Sequence, residues 1–338
     1  MTIPEDNLDI LLARHPALWR RLSGASLFMT GGTGWFGRRL LEALAHANRE
    51  LGLGLSVTVL TRTPQHFATS APHLARDPFL TLHPGDVRHF DFPAGEFTHL
   101  IHAAAPSARE TFMGADPLDK FETLVSGTRR VLAFAAQTGI RHFLFLSSGV
   151  AYGNAPCHVT EDNLLAPSTV TPESALGEAK RAAEFLCAVT AAKRGWHSSM
   201  ARCFAFVGPG MPFDLHYAIG GFIAQAMRGV PIILTSDGSP VRSWLYDADL
   251  VIWLLTLLLR EGSPRLYNVG SDQAMTLVDA ARIVRDLLNP GGEIQILAQT
   301  NASIGNPARN AYVPDISRAR EELGLDVWTP FPEAVKRT

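Results

Sequence analysis

Ser26-Leu27-Phe28-Met29-Thr30-Gly31-Gly32-Thr33-Gly34-Trp35-Phe36-Gly37 is the stretch that decides the fold. It predicts an apolar strand, a tight turn with three evenly spaced glycines, and a helix whose apolar residues recur at helical spacing. At the N-terminus of such a helix the backbone N–H groups lack partners and the helix dipole is positive. The stretch therefore indicates a site for the pyrophosphate of a dinucleotide.

Each glycine of this turn has its own predicted role. Gly31 and Gly34 let the backbone turn tightly and approach phosphates, and Gly37 lets the helix lie close to the strand. An ordinary turn between a strand and a helix is the alternative, but the long α/β pattern that follows favours a dinucleotide. The predicted cofactor contacts in the turn are Gly31, Thr33, Gly34, Trp35, Phe36 and Gly37.

The composition is ordinary for a soluble globular protein. Of 338 residues, 46% are hydrophobic and 18% are charged, and the net charge is −2, so nothing favours nucleic acid as a partner. No apolar run reaches membrane-spanning length, and the acidic N-terminus does not resemble a signal peptide. Three widely spaced cysteines predict neither a disulfide framework nor a metal site, and they fit the cytoplasm.

The alternation of strands and helices predicts an α/β fold, a Rossmann-type doubly wound parallel sheet with a smaller, mostly helical C-terminal lobe. We expect a helical extension over 1–23, an NAD(P)-binding domain over 24–209 and a substrate-binding lobe over 210–338 that interleaves with it. Later strands are predicted at 55–60, 79–83, 98–102, 141–146, 198–204, 231–234, 267–269 and 293–297. Helices are predicted at 7–22, 117–137, 174–193, 216–228, 247–260, 276–288 and 315–324.

The ends of three predicted strands add cofactor contacts. After the second strand, Thr61-Arg62 stands where an acidic residue would bind a ribose 2′-hydroxyl, so the pair favours NADP over NAD. Asp86, beside Val87, is a candidate acceptor for the adenine amino group, or else an ordinary turn aspartate. Small side chains at Ala103, Ala104 and Ala105 let a cofactor lie on the fourth strand's end.

Five more motifs follow the glycine turn in order. They are His102-Ala103-Ala104-Ala105, Gly127-Thr128 before Val131-Leu132, Ser147-Ser148-Gly149-Val150-Ala151-Tyr152-Gly153, Arg242-Ser243-Trp244-Leu245-Tyr246-Asp247-Ala248-Asp249, and Tyr267-Asn268-Val269-Gly270. Together they resemble the extended short-chain dehydrogenase/reductase family, in its branch of NAD(P)-dependent nucleotide-sugar epimerases and dehydratases. The resemblance runs from about Ser26 to Leu325. It implies a nucleotide-diphosphate-sugar substrate and a homodimer formed through the helices at 117–137 and 174–193.

The family's chemistry uses a tyrosine, a lysine four residues later and a serine or threonine. On a helix, residues four apart share one face, so the lysine can lower the phenol's pKa. The resemblance places Ser148 and Lys180 in the serine and lysine positions, and Lys180 also on the nicotinamide ribose. Leu176 stands in the tyrosine position, within a stretch whose other residues keep the motif's register. Leucine cannot exchange protons, so the usual acid/base group is missing.

Further departures from the family pattern fall at positions that usually serve the active-site helix or the substrate. Gly149 and Val150 stand where family dehydratases have an Asp-Glu pair, and Leu124 and Ala205 replace two frequent asparagines. These departures disfavour the sugar 4,6-dehydratase mechanism. Candidates for the missing phenol are Lys180 itself and the nearby residues Glu173, Glu178, Tyr152, His158 and Tyr217.

Arg242, and more weakly Arg309, are candidate contacts for a substrate diphosphate. Three functions stay open at this point. The favoured one is an epimerase- or dehydratase-like enzyme on a nucleotide sugar, with an atypical acid/base group. A reductase of a non-sugar carbonyl is favoured by Thr61-Arg62, and a catalytically silent dinucleotide-binding protein is favoured by Leu176.

Overall fold

The computed structural model describes residues 5–106, 114, 116–213, 217–297 and 311–338. The strands in these ranges are β1 Ser26–Thr30, β2 Ser56–Thr61, β3 Leu80–Pro84, β4 His99–His102, β5 His142–Ser148, β6 His197–Cys203, β7 Phe206–Val207, β8 Ile232–Leu234, β9 Val241–Arg242, β10 Leu245–Tyr246, β11 Arg265–Val269, β12 Met275–Thr276, β13 Ile294–Ile296 and β14 Ala311–Tyr312.

The helices of the described ranges alternate with these strands over the first two thirds of the chain. They are α1 Glu5–Arg14, α2 Pro16–Arg20, α3 Trp35–Leu51, α4 Pro64–Ser70, α5 Pro72–Ala75, α6 Pro117–Ala135, α7 Ala175–Arg194, α8 Ala218–Met227, α9 Asp247–Leu259, α10 Leu277–Leu288, α11 Ser317–Leu323 and α12 Phe331–Arg337. Short 3₁₀ turns cover Gly149–Tyr152 and Pro172–Ser174. No helix here is long and apolar enough to cross a membrane.

The main sheet has seven strands in the order β11-β6-β5-β4-β1-β2-β3. Every neighbouring pair is parallel. This confirms the predicted doubly wound parallel sheet, and the long elements begin and end within a few residues of their predicted bounds. The strand order reverses direction between β1 and β4, which is where open α/β sheets bind ligands.

One strand lies in a different place from the prediction. The stretch around Tyr267 to Val269 was expected among the C-terminal elements, but β11 pairs with β6 and forms the edge of the main sheet. A short apolar run has no periodicity that identifies its partner, so the sequence could not assign it. The C-terminal part has more helix than strand, as predicted, and its short strands contribute to three small sheets, β10-β7, β12-β9-β14 and β13-β8.

Residues of β1 alternate between apolar cores on the two faces of the sheet. Leu27 and Met29 belong to the core that includes α3 and α9, whereas Phe28 belongs to the core that includes α6 and α7. This alternation follows from the two-residue period of a strand. Both faces of the sheet are therefore covered, as an all-parallel sheet requires.

The turn after β1 brings three backbone segments into close contact. Gly31 has a positive φ of 75°, and a Cβ atom there would lie 2.5 Å from the Ala103 carbonyl carbon at the end of β4. A Cβ atom on Gly37 would lie 2.4 Å from both the Gly31 oxygen and the Gly32 Cα. Helix α3 can start against the turn only because these positions lack side chains.

A buried chain of hydrogen bonds joins β1, β4 and α6. The Ala104 N–H donates to Thr30 Oγ1 over 3.1 Å, and Thr30 Oγ1 lies 2.7 Å from His102 Nδ1. The other ring nitrogen lies 3.0 Å from Thr128 Oγ1, which donates to the Leu124 carbonyl. Because the Thr128 proton is used there, His102 Nε2 carries the ring proton and Nδ1 accepts from Thr30. Burial lowers the pKa of His102 to about 3, so the ring is neutral.

A buried carboxylate fixes the N-terminal helix to the body of the protein. Asp249 accepts hydrogen bonds from the backbone N–H groups of Trp328 and Thr329 and from the Thr329 hydroxyl. Arg14 at the end of α1 donates to the same carboxylate over 2.7 Å. The last residue of the Arg242 to Asp249 motif is therefore structural, because it joins α1, α9 and the segment before α12.

We expect Gly37→Ala to destabilise the fold by about 2 kcal/mol or more, because its methyl group would overlap backbone atoms that cannot move independently. Gly34→Ala is the matched control in the same turn. A Cβ atom there meets only the Gly31 oxygen, at 3.4 Å, so its cost should stay within about 1 kcal/mol. Urea unfolding of both variants measures the difference, and equal midpoints would contradict the proposed close contact.

Candidate functional site

The candidate site lies where the carboxyl ends of β1, β4, β5 and β6 meet at one edge of the sheet. At this edge the turn after β1 touches the end of β4, through Gly31 and Ala103. Ala103 and Ala104 are half-buried and Ala105 is exposed. Their small side chains leave the edge open beside the turn.

Gly34 provides the test of whether a pyrophosphate fits the turn. It is exposed, it precedes the first residue of α3, and no side chain caps this helix N-terminus. The space that a side chain would occupy at Gly34 is filled by no protein atom closer than 3.4 Å. An open cradle at a helix N-terminus, lined by backbone N–H groups, fits an anionic pyrophosphate.

Trp35 and Phe36 turn their side chains away from this cradle. The Trp35 indole N–H donates to the Pro209 carbonyl over 3.1 Å, and the Phe36 ring meets Phe206 edge-on at 5.0 Å. Arg38 donates to the Thr33 carbonyl over 3.1 Å. Trp35 and Phe36 thus fix the turn against the segment that includes Phe206 and Pro209.

At the end of β2, Thr61 is buried and Arg62 is exposed. This exposure suits a contact with a ribose 2′-phosphate. Asp86, the candidate adenine contact after β3, is bound by Arg88 through Nε at 3.0 Å. Burial raises the pKa of Asp86, but the hydrogen bonds and charge of Arg88 outweigh burial and leave that pKa below its ordinary value.

The Val87 side chain occupies the space that a side chain at Gly127 would need. A Cβ atom on Gly127 would lie 2.9 Å from Val87 Cγ1, so the loop after β3 packs directly on α6 at this residue. The adjacent Thr128 closes the His102 hydrogen-bond chain. The Gly127-Thr128 motif therefore sets the position of α6 beneath β4 and leaves Val87 held at the rim of the site.

Lys180 lies on α7 directly under the end of β5. Its side chain is buried, and its ammonium donates to the Leu146 carbonyl over 2.6 Å and lies 4.9 Å from the Phe145 ring centre. Burial lowers the pKa of Lys180 to about 8, although Cys203, Glu184 and Cys187 act in the opposite direction. One of the three ammonium hydrogens is used in the bond to the Leu146 carbonyl.

A buried ion pair holds α7 in this position. Arg202 of β6 donates twice to Glu184 of α7, over 2.9 and 2.6 Å, and Ser147 of β5 donates to the same carboxylate over 2.5 Å. The Arg202 guanidinium also stacks on the Tyr152 ring at 4.1 Å. Bidentate pairing of this kind fixes direction as well as distance. The network ties α7 to β5 and β6, one turn beyond Lys180.

Ser148 and Leu176 lie on either side of a close contact between α7 and the loop after β5. A Cβ atom on Gly177 would lie 2.6 Å from the Val150 carbonyl oxygen. Ser148, at the end of β5, is half-buried, and its hydroxyl accepts a long hydrogen bond of 3.4 Å from the Val150 N–H. Leu176 is half-buried at the start of α7. Ser148, Leu176 and Lys180, the three positions that match the catalytic motif, therefore come together at the end of β5 and the start of α7. None of them is a tyrosine.

Of the candidates for the missing phenol, Tyr152 is already engaged elsewhere. It is fully buried, and its hydroxyl donates to Asn268 Oδ1 over 2.8 Å. Burial raises its pKa to about 12. Asn268 in turn donates to the carbonyls of Val159 and Asp315, so Tyr152 belongs to a structural network.

The other candidates lie outside the strands of the main sheet. Glu173 is exposed in a 3₁₀ turn, His158 is exposed in a turn, and Tyr217, also exposed, precedes α8. Glu178 has one carboxylate oxygen that is buried and has no hydrogen-bond partner among the described residues. No described residue forms part of a cluster that could hold a metal ion.

Sequence reasoning missed Tyr312. It lies on β14, and its hydroxyl donates to the Cys203 carbonyl over 3.4 Å, at the end of β6. Cys203 is paired in register with Ser148, so the phenol reaches the edge where the site lies. No motif or spacing could have found Tyr312, because more than one hundred residues separate it from β6 and two-residue strands leave no pattern.

Arg242, the candidate diphosphate contact, lies beside Tyr312. Strands β9 and β14 are parallel, and their register pairs Arg242 with Tyr312. Arg242 is half-buried and donates to the Val241 carbonyl over 2.8 Å. Arg309, the second candidate, lies outside the described residues.

Comparisons with known proteins match most of the chain. The model of the NAD dependent epimerase/dehydratase family matches residues 27–270. UDP-glucuronic acid decarboxylase 6 of Arabidopsis thaliana is 30% identical over 91% of this chain and 85% of its own length. UDP-glucuronic acid decarboxylase 1 of Xenopus tropicalis is 28% identical over 72% of this chain, and the match spans only 56% of that protein.

Solved structures with the same fold include an epimerase from Methanothermobacter thermautotrophicus, with a TM-score of 0.76, 21% identity and coverage of 97% of this chain and 94% of the other. Another is the UDP-glucuronic acid 4-epimerase of Bacillus cereus, solved with UDP-glucuronic acid and NAD. Its TM-score is 0.75 at 19% identity, over 92% of this chain and 97% of the other.

The lowered pKa of Lys180 predicts a pH dependence of stability. Between pH 8 and 10.5 the unfolded chain holds the Lys180 proton more tightly than the folded protein, so the free energy of unfolding rises with pH. Below pH 8 the buried charge lowers stability. The variant Lys180→Met has no buried charge at this position. The difference in the free energy of unfolding between this variant and wild type should therefore shrink by on the order of 3 kcal/mol between pH 8 and pH 10.5.

Urea unfolding of the cofactor-free proteins at several pH values measures this dependence. Lys193→Met, which removes an exposed lysine from the same helix, is the control and should follow wild type throughout. Parallel stability profiles for wild type and Lys180→Met would contradict the assignment of a strained, buried ammonium.

Proposed function

The chain belongs to the NAD dependent epimerase/dehydratase family, and from this premise we propose that it modifies a nucleotide-diphosphate sugar with a bound nicotinamide cofactor. The observation that carries the proposal is the site at the sheet edge. An open phosphate cradle at Gly34 lies beside a strand end that bears Ser148, with Lys180 buried beneath it. The sugar class is supported by relatives named as UDP-glucuronic acid decarboxylases and by a neighbour solved with UDP-glucuronic acid.

Each side chain has a separate part in the proposed reaction. A bound nicotinamide would accept a hydride from a sugar carbon and later return it. Ser148 holds the oxygen of the reacting sugar hydroxyl, and Lys180 binds the nicotinamide ribose with the ammonium hydrogens not given to Leu146. Arg242 pairs with the diphosphate of the substrate. Leu176 forms part of the pocket wall, so the proton moves through another group.

The reaction class follows from what surrounds Ser148. Gly149 and Val150 offer no carboxyl group, so the proposed reaction is an epimerisation, or an elimination or decarboxylation that follows transient oxidation of the sugar. In each case the cofactor ends the cycle as it began. Net consumption of reduced cofactor is characteristic of the alternative, a reductase of a non-sugar carbonyl.

Leu176 favours a second candidate function, a dinucleotide-binding protein without catalysis. Such a protein would keep the cradle at Gly34, which would hold the cofactor, and the network around Glu184, which joins α7 to β5 and β6. It would bind the cofactor and show no change in nicotinamide absorbance with any nucleotide sugar.

The test of the proposed function is incubation of the purified protein with UDP-glucuronic acid or UDP-glucose and oxidised cofactor. We expect transient nicotinamide reduction and a changed sugar in the NMR spectrum. Arg242→Gln should raise KM for the nucleotide sugar at least about tenfold, since a charged hydrogen bond is lost. Arg141→Gln, on the opposite edge of the sheet at the start of β5, is the control. Binding of cofactor without any conversion of either sugar would favour the silent protein.

The cofactor itself is proposed to be NADP, with NAD as the alternative. The proposal is supported by the exposed Arg62 and the absence of an acidic residue beside it in the sequence. Family members in solved structures were obtained with NAD, which keeps the alternative open.

Calorimetric titration is the measurement that separates the two cofactors. Wild type should bind NADP⁺ at least as tightly as NAD⁺, and Arg62→Ala should lose about tenfold in NADP⁺ affinity while its NAD⁺ affinity stays the same. Arg76→Ala, an exposed arginine after α5, is the control. A tenfold preference of wild type for NAD⁺ would overturn the NADP assignment.

A homodimer through α6 and α7 is also proposed. These helices pack on each other and expose apolar side chains, with Leu118 79% and Phe185 67% exposed. Phe185 and Val189 are four residues apart on α7 and share a face. Light scattering should give a dimer for wild type and a monomer for Phe185→Glu. Met227→Glu on α8 is the control, because Met227 is equally exposed, and this variant should remain a dimer. A monomeric wild type would overturn the proposal.

A further inference from the structure

Gly149 leaves a space next to Ser148 that another residue fills. A Cβ atom on Gly149 would lie 2.8 Å from the hydroxyl oxygen of Tyr312 and 2.9 Å from the Phe204 ring. The phenol therefore occupies the volume into which a side chain at position 149 would extend. This is the position where related dehydratases carry an acidic residue, directly after the serine that holds the substrate.

The Tyr312 hydroxyl is held at the ends of two strands of the main sheet. It donates to the Cys203 carbonyl, the last of β6, and its ring packs on Phe204 with centroids 4.7 Å apart. Cys203 pairs with Ser148 across β6 and β5. The donor–acceptor distance of this bond is 3.4 Å, which is at the long end for a hydroxyl.

A cationic side chain stands next to Tyr312 on the adjacent strand. Arg242 is its partner in register on β9, and residues paired in register project from the same face of a sheet. A cation close to a phenol favours its ionised form, which is the part that the family's chemistry gives to the lysine four residues after the usual tyrosine.

We propose that Tyr312 is the proton-exchanging catalytic residue that replaces the phenol missing at Leu176. This inference rests on the proposed function, a redox-neutral reaction on a nucleotide sugar. The phenol stands on β14 instead of at the start of α7, and its hydroxyl lies next to Gly149, the residue after Ser148. Leu176 then fills the space left on α7 with an apolar side chain.

The Tyr312 phenolate takes the proton of the sugar hydroxyl while the C–H bond at the same carbon breaks. The hydrogen leaves with its electron pair to NAD(P)⁺, so the sugar becomes a ketone, the tyrosine a phenol and the cofactor NAD(P)H. The return step reverses each transfer: the phenol gives its proton to the oxygen and the sugar carbon regains a hydride.

The test compares Tyr312→Phe with wild type and with Tyr267→Phe. Tyr267 is the matched control, because it lies on the edge strand β11 and its hydroxyl donates to Glu322. With UDP-glucuronic acid and NAD(P)⁺, Tyr312→Phe should slow nicotinamide reduction about 100-fold to 10,000-fold, the usual contribution of general base catalysis. Calorimetric affinities for UDP and for the cofactor should stay within about threefold of wild type, because phenylalanine keeps the ring packing.

A second readout does not depend on turnover. Ultraviolet difference spectra between wild type and Tyr312→Phe, with NAD(P)⁺ bound, should contain one phenolate that forms at lower pH than an ordinary tyrosine. Turnover by Tyr312→Phe within threefold of wild type would overturn the inference. If wild type converts no nucleotide sugar, the proposed function fails; the phenolate signal then decides whether Tyr312 is activated, and its absence overturns the inference as well.

Discussion

The structure depends on the contact between the turn after β1 and the end of β4. A side chain at Gly31 would collide with the Ala103 carbonyl, so the two backbones can meet only at a glycine. The hydrogen-bond chain through Thr30, His102 and Thr128 holds β1, β4 and α6 in the same register. Because the central ring is buried and neutral, this chain keeps its direction over the physiological pH range. The open cradle at Gly34 and the small residues after β4 follow from this one contact.

A second set of contacts fixes the position of Lys180 in the site. The Glu184–Arg202 pair with Ser147 fixes α7 beneath β5, and the Lys180 ammonium is thereby held against the Leu146 carbonyl. Burying this cation costs free energy, which the lowered pKa of Lys180 reflects. A chain that had only to fold would gain by replacing Lys180 with an apolar residue. The buried charge therefore favours a part for Lys180 in binding the cofactor over a purely structural one.

The sequence predicted the sheet, the glycine turn and the place of Ser148 and Lys180, because these lie in long periodic elements or in contiguous motifs. It could not predict what depends on contacts between distant segments. Tyr312 belongs to a two-residue strand, and Asp249 looks like part of a ligand motif until its bonds to Arg14 and Thr329 are seen. Gly149 looked like a lost functional group, whereas in the folded protein its missing side chain makes room for the Tyr312 phenol.

The proposed displacement of the phenol from α7 to Tyr312 can be seen directly in a crystal structure of the protein with oxidised cofactor and UDP-glucuronic acid. We expect the Tyr312 oxygen within about 3.2 Å of the sugar hydroxyl whose carbon faces the nicotinamide, with Ser148 bound to the same oxygen. A sugar hydroxyl bound to Ser148 but more than about 5 Å from the Tyr312 oxygen, with water or another side chain between them, would contradict it.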